Sequence, residues 1–429
     1  MLHPFMNIAD WDKIGISVAE AAQRLHHIGY IDRQTMHIAA GRMLGCAEYE
    51  IKGALANLAW TDSVHHDQLR NRCKQLRMSV SAFDKCPEPL LDRLLGKTLD
   101  AGSTLHLLVA LFEVIKPAQV EAIRRFLEET QPLVDQPTVH MLRHQLLDRE
   151  EQLAWGREAI AALSVRATKE ELTSLADWKQ DLAELLNAAG GADGRLQRIA
   201  LAEDRVEFPT TPYSAPERSA RDERFRSSIV KFKDMEFEDS HEGRFKMMMY
   251  SRYFEMSPAE AVAHIIFAST GKPWAFYLDA SRHLWDEVRH AWFGEAALRN
   301  RGYDIYEAPN WVGFYDMSKH LFGLDEAYVH LTLAIEQAAM KYPPGKREEW
   351  EFARDIAKDP LMTTFQDFDW ADEVVHAGFG RKWAVEGLYK GDVAQATAAA
   401  DLTWEKRTRY MSEVAAGQAE PRSPFAGNY

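Results

Sequence analysis

One short motif occurs twice in the second half of this chain, at an offset of 86 residues. Residues 286–294 read DEVRHAWFG and residues 372–380 read DEVVHAGFG, so seven of the nine positions are identical. Residues three apart share one face of a helix, so Glu287 faces the same side as His290, and the second copy repeats the pattern. A carboxylate and an imidazole are costly to bury unless something compensates them. Two such pairs facing each other would be compensated by bound divalent metal ions.

The rest of the sequence predicts an almost entirely helical protein, because amphipathic stretches are long and alternating β-type segments are nearly absent. Changes in composition divide it into an N-terminal helical domain (1–195), a linker (196–239), a second helical domain (240–415) and a loose tail (416–429). In the second domain we expect four helices that form two antiparallel pairs. The irregular, aromatic-rich segment 302–325 is interpreted as a long crossover between helices two and three.

A metal centre of this kind needs one further acidic donor from each of the other two helices. Glu336 is the only acid in the apolar stretch LAIEQAA and is the candidate on helix three. Helix one leaves three candidates. Glu260 is favoured by its distance along the chain from the first motif, His264 follows closely as a ligand or a partner of one, and Glu255 stays open. Glu260 is also expected to cap its own helix.

The two motifs, together with Glu260 and Glu336, resemble the ferritin-like di-iron carboxylate superfamily over about residues 240–390. The resemblance implies a ferritin-like four-helix bundle that holds two iron ions, or a manganese–iron pair, bridged by carboxylates. The expected metal ligands are Glu260, His264, Glu287, His290, Glu336, Glu373 and His376. His283 and Asp369, one turn before each repeated glutamate, are interpreted as hydrogen-bonding partners of these ligands.

The resemblance implies a non-haem di-iron oxidoreductase, an oxygenase or oxidase that activates O2. Its expected partners are an unidentified small organic substrate, O2 and an electron donor. A ferritin-like or rubrerythrin-like protein that handles iron or redox stress is the first alternative. It is disfavoured because the chain has no CxxC pair, and its 49.0 kDa length suits a storage cage poorly. A metal-free helical scaffold for protein interactions is the second alternative.

The charge balance and the cysteine content narrow the cellular setting. Sixty-five acidic against 51 basic residues give a formal charge of −14, which argues against a nucleic-acid partner. The longest apolar runs fall well short of the ~20 residues that span a bilayer, so no membrane association is expected. Three cysteines without a CxxC pair are typical of reduced thiols, and we expect a cytoplasmic protein.

The N-terminal half contains two segments that partly match the same motif. Segment 140–156 aligns with 278–294 when their glycines are matched, but Arg149 and Gln152 then stand at the ligand positions. The stretch Trp60–Asp67 offers an Asp-x-x-His pattern on a helix. We therefore expect a degenerate ferritin-like bundle without metal, which would serve packing or the formation of a homodimer.

Overall fold

The protein is all-α in the part of the chain that the structure describes, as the sequence predicts. This computed structural model describes residues 2, 4–201, 206 and 211–416. No helix among these residues combines the length and the apolar character needed to cross a membrane. The predicted tail lies, from residue 417 onward, outside the described residues.

The chain divides into two compact units with interleaved boundaries. Unit 1 comprises Met1–Ala39 and Thr61–Ser214, and unit 2 comprises Ala40–Trp60 and Ala215–Tyr429. The sequence assigns residues 40–60 to the N-terminal domain, whereas in the structure they belong to unit 2. Residues 215–239, expected as linker, also belong to unit 2, where Lys319 Nζ donates to Ala215 O at 3.0 Å.

Unit 1 contains most of the residues of the first eight helices, and residues 40–60 of the first two belong to unit 2. The first eight helices are α1 (Val18–Gly45), α2 (Tyr49–Gln75), α3 (Val80–Phe83), α4 (Pro89–Leu99), α5 (Thr104–Val109), α6 (Lys116–Glu129), α7 (Gln136–Ser164) and α8 (Lys169–Ala188). A short 3-10 segment spans Pro4–Asn7, and a π-helical stretch, Ala110–Ile115, leads directly into α6. Thr168 Oγ1 accepts a hydrogen bond from the amide of Glu171 and so caps α8.

Unit 2 contains the remaining helices and one short pair of parallel strands. The helices are α9 (His241–Tyr253), α10 (Met256–Ala268), α11 (Trp274–Asn300), α12 (Gly313–His320), α13 (Leu324–Val329), α14 (Gln337–Ala339), α15 (Lys346–Glu351), α16 (Pro360–Gly380) and α17 (Val393–Ala415). Strand β1 (Ser227–Ser228) pairs with β2 (Asn310–Trp311). Further π-helical stretches span His330–Glu336, Phe352–Ile356 and Arg381–Leu388.

The two helices that carry the repeated motif pack antiparallel to each other. His283 of α11 stacks on His376 of α16 with ring centroids 3.9 Å apart. Ten residues later on α11, Phe293 stacks on Phe365, which precedes His376 on α16. The two motifs therefore face each other across one helix interface.

The stretch from α13 to Glu336 runs in the same direction as α11. Phe276 contacts Tyr328 with ring centroids 5.4 Å apart, and seven residues later His283 Nε2 lies 3.6 Å from Glu336 Oε1. Because the two segments are parallel, the chain between them, which contains β2 and α12, travels back along the length of α11. Helix α10 is antiparallel to α11, since Tyr277 Oη donates to Ser269 O after the end of α10, whereas His290, 13 residues later on α11, lies 3.5 Å from Glu255 before the start of α10.

The final glycine of each motif lies where a neighbouring helix comes closest. A Cβ on Gly294 would lie 2.0 Å from the backbone nitrogen of Tyr253, and one on Gly380 would lie 2.8 Å from Thr332 Cβ. Each motif therefore ends in the one residue that leaves room for this approach. Gly294 therefore allows α11 to pack against the end of α9, and Gly380 allows α16 to pack against the π-helical stretch His330–Glu336.

Candidate metal centre

Four buried side chains from three helical segments meet in the middle of unit 2. His283 and Glu287 belong to α11, Glu336 ends the π-helical stretch, and His376 belongs to α16; each is at most 3 % exposed. One donor atom from each of them lies within 4.8 Å of the others. His283 Nε2 lies 3.2 Å from Glu287 Oε1. We call the space between these four side chains position 1.

A second group of donors adjoins position 1 and shares Glu287 with it. Glu255, immediately before α10, and His290 of α11 both place donor atoms within 4.8 Å of Glu287. His290 Nδ1 lies 3.5 Å from Glu255 Oε2. Burial raises the pKa of Glu255 to about 7. We call the space between these three side chains position 2.

Several buried donor atoms at the two positions make no hydrogen bond to any described residue. They are Glu255 Oε2, His283 Nδ1, His290 Nδ1, Glu373 Oε2 and His376 Nδ1. His376 Nδ1 lies 3.7 Å from Glu373 Oε2 and 3.8 Å from Glu287 Oε1. Donor atoms that share one divalent ion at about 2.1 Å lie roughly 3 to 4 Å apart, because they occupy neighbouring corners of its shell. The donor set therefore fits divalent metal ions, with Glu287 shared between the two positions.

Each copy of the motif orients the histidine of the other copy. Nε2 of His376 lies 3.3 Å from Asp286 Oδ2, and Nε2 of His290 lies 3.3 Å from Asp372 Oδ2. These bonds favour the tautomers in which each Nδ1 is free to act as a ligand. Arg289 ion-pairs with both aspartates. Burial alone would raise the pKa of Asp286, but the hydrogen bond to His376 holds that pKa well below its ordinary value.

Two cationic side chains hold carboxylates beside position 2. Arg252 Nη1 lies 2.9 Å from each oxygen of Asp369 and 2.9 Å from Glu255 Oε1. Lys346 Nζ, on a side chain buried at the start of α15, lies 2.9 Å from Asp369 Oδ2 and 2.8 Å from Glu373 Oε1. The charge of Asp369 is therefore balanced by two cations of the protein itself.

The structure places Glu260 and His264 away from both positions. Glu260 is fully buried, with Lys52 Nζ at 3.0 Å and Arg221 also ion-paired to it. Five residues turn a helix by about 140°, so Glu260 faces another side of the bundle than Glu255 does. His264 packs edge-on against Tyr315, and burial lowers the pKa of its imidazole to about 4. Neither residue belongs to a group of possible metal ligands among the described residues.

The sequence predicts a supporting role for His283, whereas in the structure its Nε2 lies among the possible donor atoms of position 1. The sequence indicates this role only through position, because His283 lies one turn before Glu287 on the face that also carries His290. Asp369, which has the corresponding position on α16, is instead paired with Arg252 and Lys346. Lys346 escaped notice because it begins the charged run KREEWE, which is typical of a solvent-exposed helix. Its burial becomes visible only in three dimensions.

Unit 1 contains a buried polar cluster of its own. Asp32 of α1 lies close to Asp62 and His65 of α2, with donor atoms within 4.8 Å of one another. Lys116 Nζ is ion-paired to Asp62, and Arg149 Nη2 lies 2.9 and 2.8 Å from the two oxygens of Asp32. All five side chains are at most 1 % exposed. Two carboxylates and two fixed cations thus balance each other without a metal ion.

This cluster repeats the layout of the centre in unit 2. Asp148 lies 2.9 Å from His65 Nε2, as Asp372 lies beside His290 Nε2. A π-helical stretch leads into Lys116, as another ends at Glu336. By this correspondence Asp32, Asp62, His65, Lys116 and Arg149 stand where unit 2 has Glu255, Glu287, His290, Glu336 and Glu373. A lysine and an arginine therefore replace two of the carboxylates.

Compared with protein-family models, with curated proteins and with solved structures, the chain matches none of them.

Proposed function

We propose that unit 2 is a ferritin-like di-metal domain and that the protein is a non-haem di-iron, or manganese–iron, oxidoreductase. In this proposal it uses O2 to oxidise a small organic substrate. The observation that carries the proposal is the buried group of His283, Glu287, Glu336 and His376, whose donor atoms converge within 4.8 Å. Two imidazoles and two carboxylates are a donor set that suits iron and manganese. The parallel course of α11 and the Glu336 segment is also what a bundle with one long crossover requires.

A small cavity at one end of the helices supports a substrate site. Its volume is about 220 Å³, and its lining includes Phe276, Tyr328 and Trp383. Each of the three is seven or eight residues along the chain from a residue of position 1, which is about 10 to 12 Å along a helix. Phe276 comes before His283, Tyr328 before Glu336, and Trp383 after His376. The cavity therefore lies about two helical turns from position 1. It is smaller than the ~300 Å³ at which drug-sized ligand sites begin, so the proposed substrate is small.

The residues of the chain would serve such chemistry by positioning and by excluding water. Metal ions bound at the two positions would supply the redox chemistry and an open coordination site for O2. Asp286 and Asp372 fix the rings of the two motif histidines, and the burial of every donor keeps bulk water away. Glu287, which belongs to both groups of donors, would couple the two positions.

Metal analysis of the full chain tests the proposal. Protein from iron-supplemented cells should contain close to two metal ions per chain, and anaerobic reduction followed by O2 should change its optical spectrum. Glu287→Ala should lose both properties, because this residue serves both positions. Glu295→Ala is the matched control, since Glu295 lies on the same helix but pairs with Arg299 at the surface. Wild-type protein without bound metal would refute the proposal and favour the scaffold alternative. Full metal content in Glu287→Ala would refute the proposed centre, because Glu287 would then not be a ligand.

A further inference from the structure

We propose that the ammonium group of Lys346 competes with the second metal ion, so that the centre fills position 1 first and position 2 more weakly. This inference rests on the di-metal function proposed above. It concerns the order and strength of loading, which a di-metal function by itself leaves open.

The two positions differ in the number of donors that the protein leaves free for them. Position 1 is surrounded by two histidines and two glutamates, and Glu373 Oε2 also faces it, 3.7 Å from His376 Nδ1. Position 2 has Glu255, His290 and the shared Glu287. A divalent ion at position 1 therefore finds up to five donors, whereas one at position 2 finds three.

Lys346 holds the groups that would complete position 2. Asp369 and Glu373 both place a carboxylate oxygen within 4.8 Å of a ring nitrogen of His290, so both are within reach of a shared ion. In the structure, however, Lys346 Nζ lies 3.0 and 2.9 Å from the two oxygens of Asp369 and 2.8 Å from Glu373 Oε1. An ammonium group and a divalent ion cannot both take these oxygens as close neighbours without strong repulsion.

The charge of the cluster leads to the same conclusion. With every carboxylate ionised and every histidine neutral, the five carboxylates and the two cations paired with them have a formal charge of −3. These groups are Glu255, Glu287, Glu336, Asp369, Glu373, Arg252 and Lys346. One divalent ion reduces this to −1, whereas a second ion makes it positive as long as Lys346 stays in place. In unit 1 the cations of the protein replace metal ions entirely, because Lys116 and Arg149 balance the charge of the buried aspartates Asp32 and Asp62.

Anaerobic titration of metal-free protein with Mn²⁺, with the free ion followed by electron paramagnetic resonance, tests the proposal. Wild-type protein should bind one Mn²⁺ at least tenfold more tightly than a second. Lys346→Met, which keeps the length of the side chain without its charge, should tighten the second site at least tenfold and leave the first nearly unchanged. Lys341→Met is the matched control, because Lys341 lies five residues earlier and is exposed. This control should titrate like the wild type.

The outcomes separate this inference from the function on which it rests. Two equally tight sites in the wild type, or a second site unchanged in Lys346→Met, would overturn the inference and leave the di-metal function intact. No Mn²⁺ binding in any variant would overturn both. If Lys346→Met does not fold, His283→Ala and His290→Ala decide: the first should lose the tight site and the second only the weak one, and the reverse pattern would contradict the order.

Discussion

A histidine ligand usually donates its second ring N–H to a neighbouring group, which fixes the ring and strengthens metal binding. In unit 2 this holding is crosswise, because Asp286 on α11 holds His376 on α16, and Asp372 on α16 holds His290 on α11. The aspartate that opens each DExxH motif therefore acts on the opposite helix rather than on its own. This explains, in physical terms, why the aspartate recurs in both copies together with the ligands.

Replacement of Asp286 by asparagine should weaken metal binding without loss of the fold. The asparagine oxygen can still accept the bond from His376 Nε2, but the negative charge that stabilises the ring is lost. Changes to such supporting partners typically reduce metal affinity about 10- to 100-fold. The measurement is the Mn²⁺ dissociation constant of the tight site, with Asp367→Asn, exposed on α16, as the control. An unchanged constant in Asp286→Asn would show that the crosswise bond does not support the ligand.

At the scale of elements, the geometry of the centre depends on how closely neighbouring helices approach. Gly294 lies against the backbone of Tyr253, two residues before Glu255, so this contact sets the distance between Glu255 and His290. Gly380 sets the corresponding approach of α16 to the segment that carries Glu336. The glycine at the end of each motif is therefore needed for the geometry of the candidate site, together with the side chains that carry the donor atoms.

Two glycine-to-alanine substitutions should consequently shift stability in opposite directions. Gly294→Ala places a methyl group 2.0 Å from a backbone atom, which forces the helices apart and should cost about 1 to 3 kcal/mol or more. Gly378→Ala, on an exposed face of α16 with no heavy atom within 4 Å of the new Cβ, should gain up to about 1 kcal/mol from helix propensity. The urea-unfolding midpoint measures both effects. Equal shifts would contradict the close approach at Gly294.

The sequence predicts the two helices that carry the motif, but it does not predict which residue of the preceding helical segment faces them. Helices α11 and α16 follow from the motif and its spacing, and five of the seven predicted ligands lie at the two positions or face them. The first helix does not follow, because the chain interrupts its helix between α9 and α10 at Phe254 and Glu255. The distance along the chain from the first motif favours Glu260, but this distance takes no account of the interruption. The charge of Glu260 is compensated by Lys52 and Arg221, which are 208 and 39 residues away in the chain. Local periodicity carries no information about such distant contacts.

At the scale of the whole molecule, the chain neutralises similar buried clusters in two ways. In unit 1, Lys116 and Arg149 complete the charge balance, whereas in unit 2 the carboxylates outnumber the cations around them. A buried carboxylate without compensation is strongly unfavourable. The excess of negative charge in unit 2 therefore favours the binding of metal ions, whereas unit 1 has no such excess around Asp32 and Asp62. The two units therefore differ in the charge of their buried clusters through a few side chains.

Substitutions at Lys116 and Asp62 should accordingly change stability but not metal content. Lys116→Met leaves the carboxylate of Asp62 buried without its cation and should cost about 3 to 5 kcal/mol. The double variant Lys116→Met/Asp62→Asn removes both charges and should recover much of this loss, since Thr35 Oγ1 can still donate to the asparagine oxygen. Urea unfolding measures the stability, and elemental analysis of the same samples should find the metal content of the wild type. A loss of metal ions in the double variant would show instead that unit 1 binds metal, and equal instability of both variants would show that the ion pair is not what Lys116 contributes.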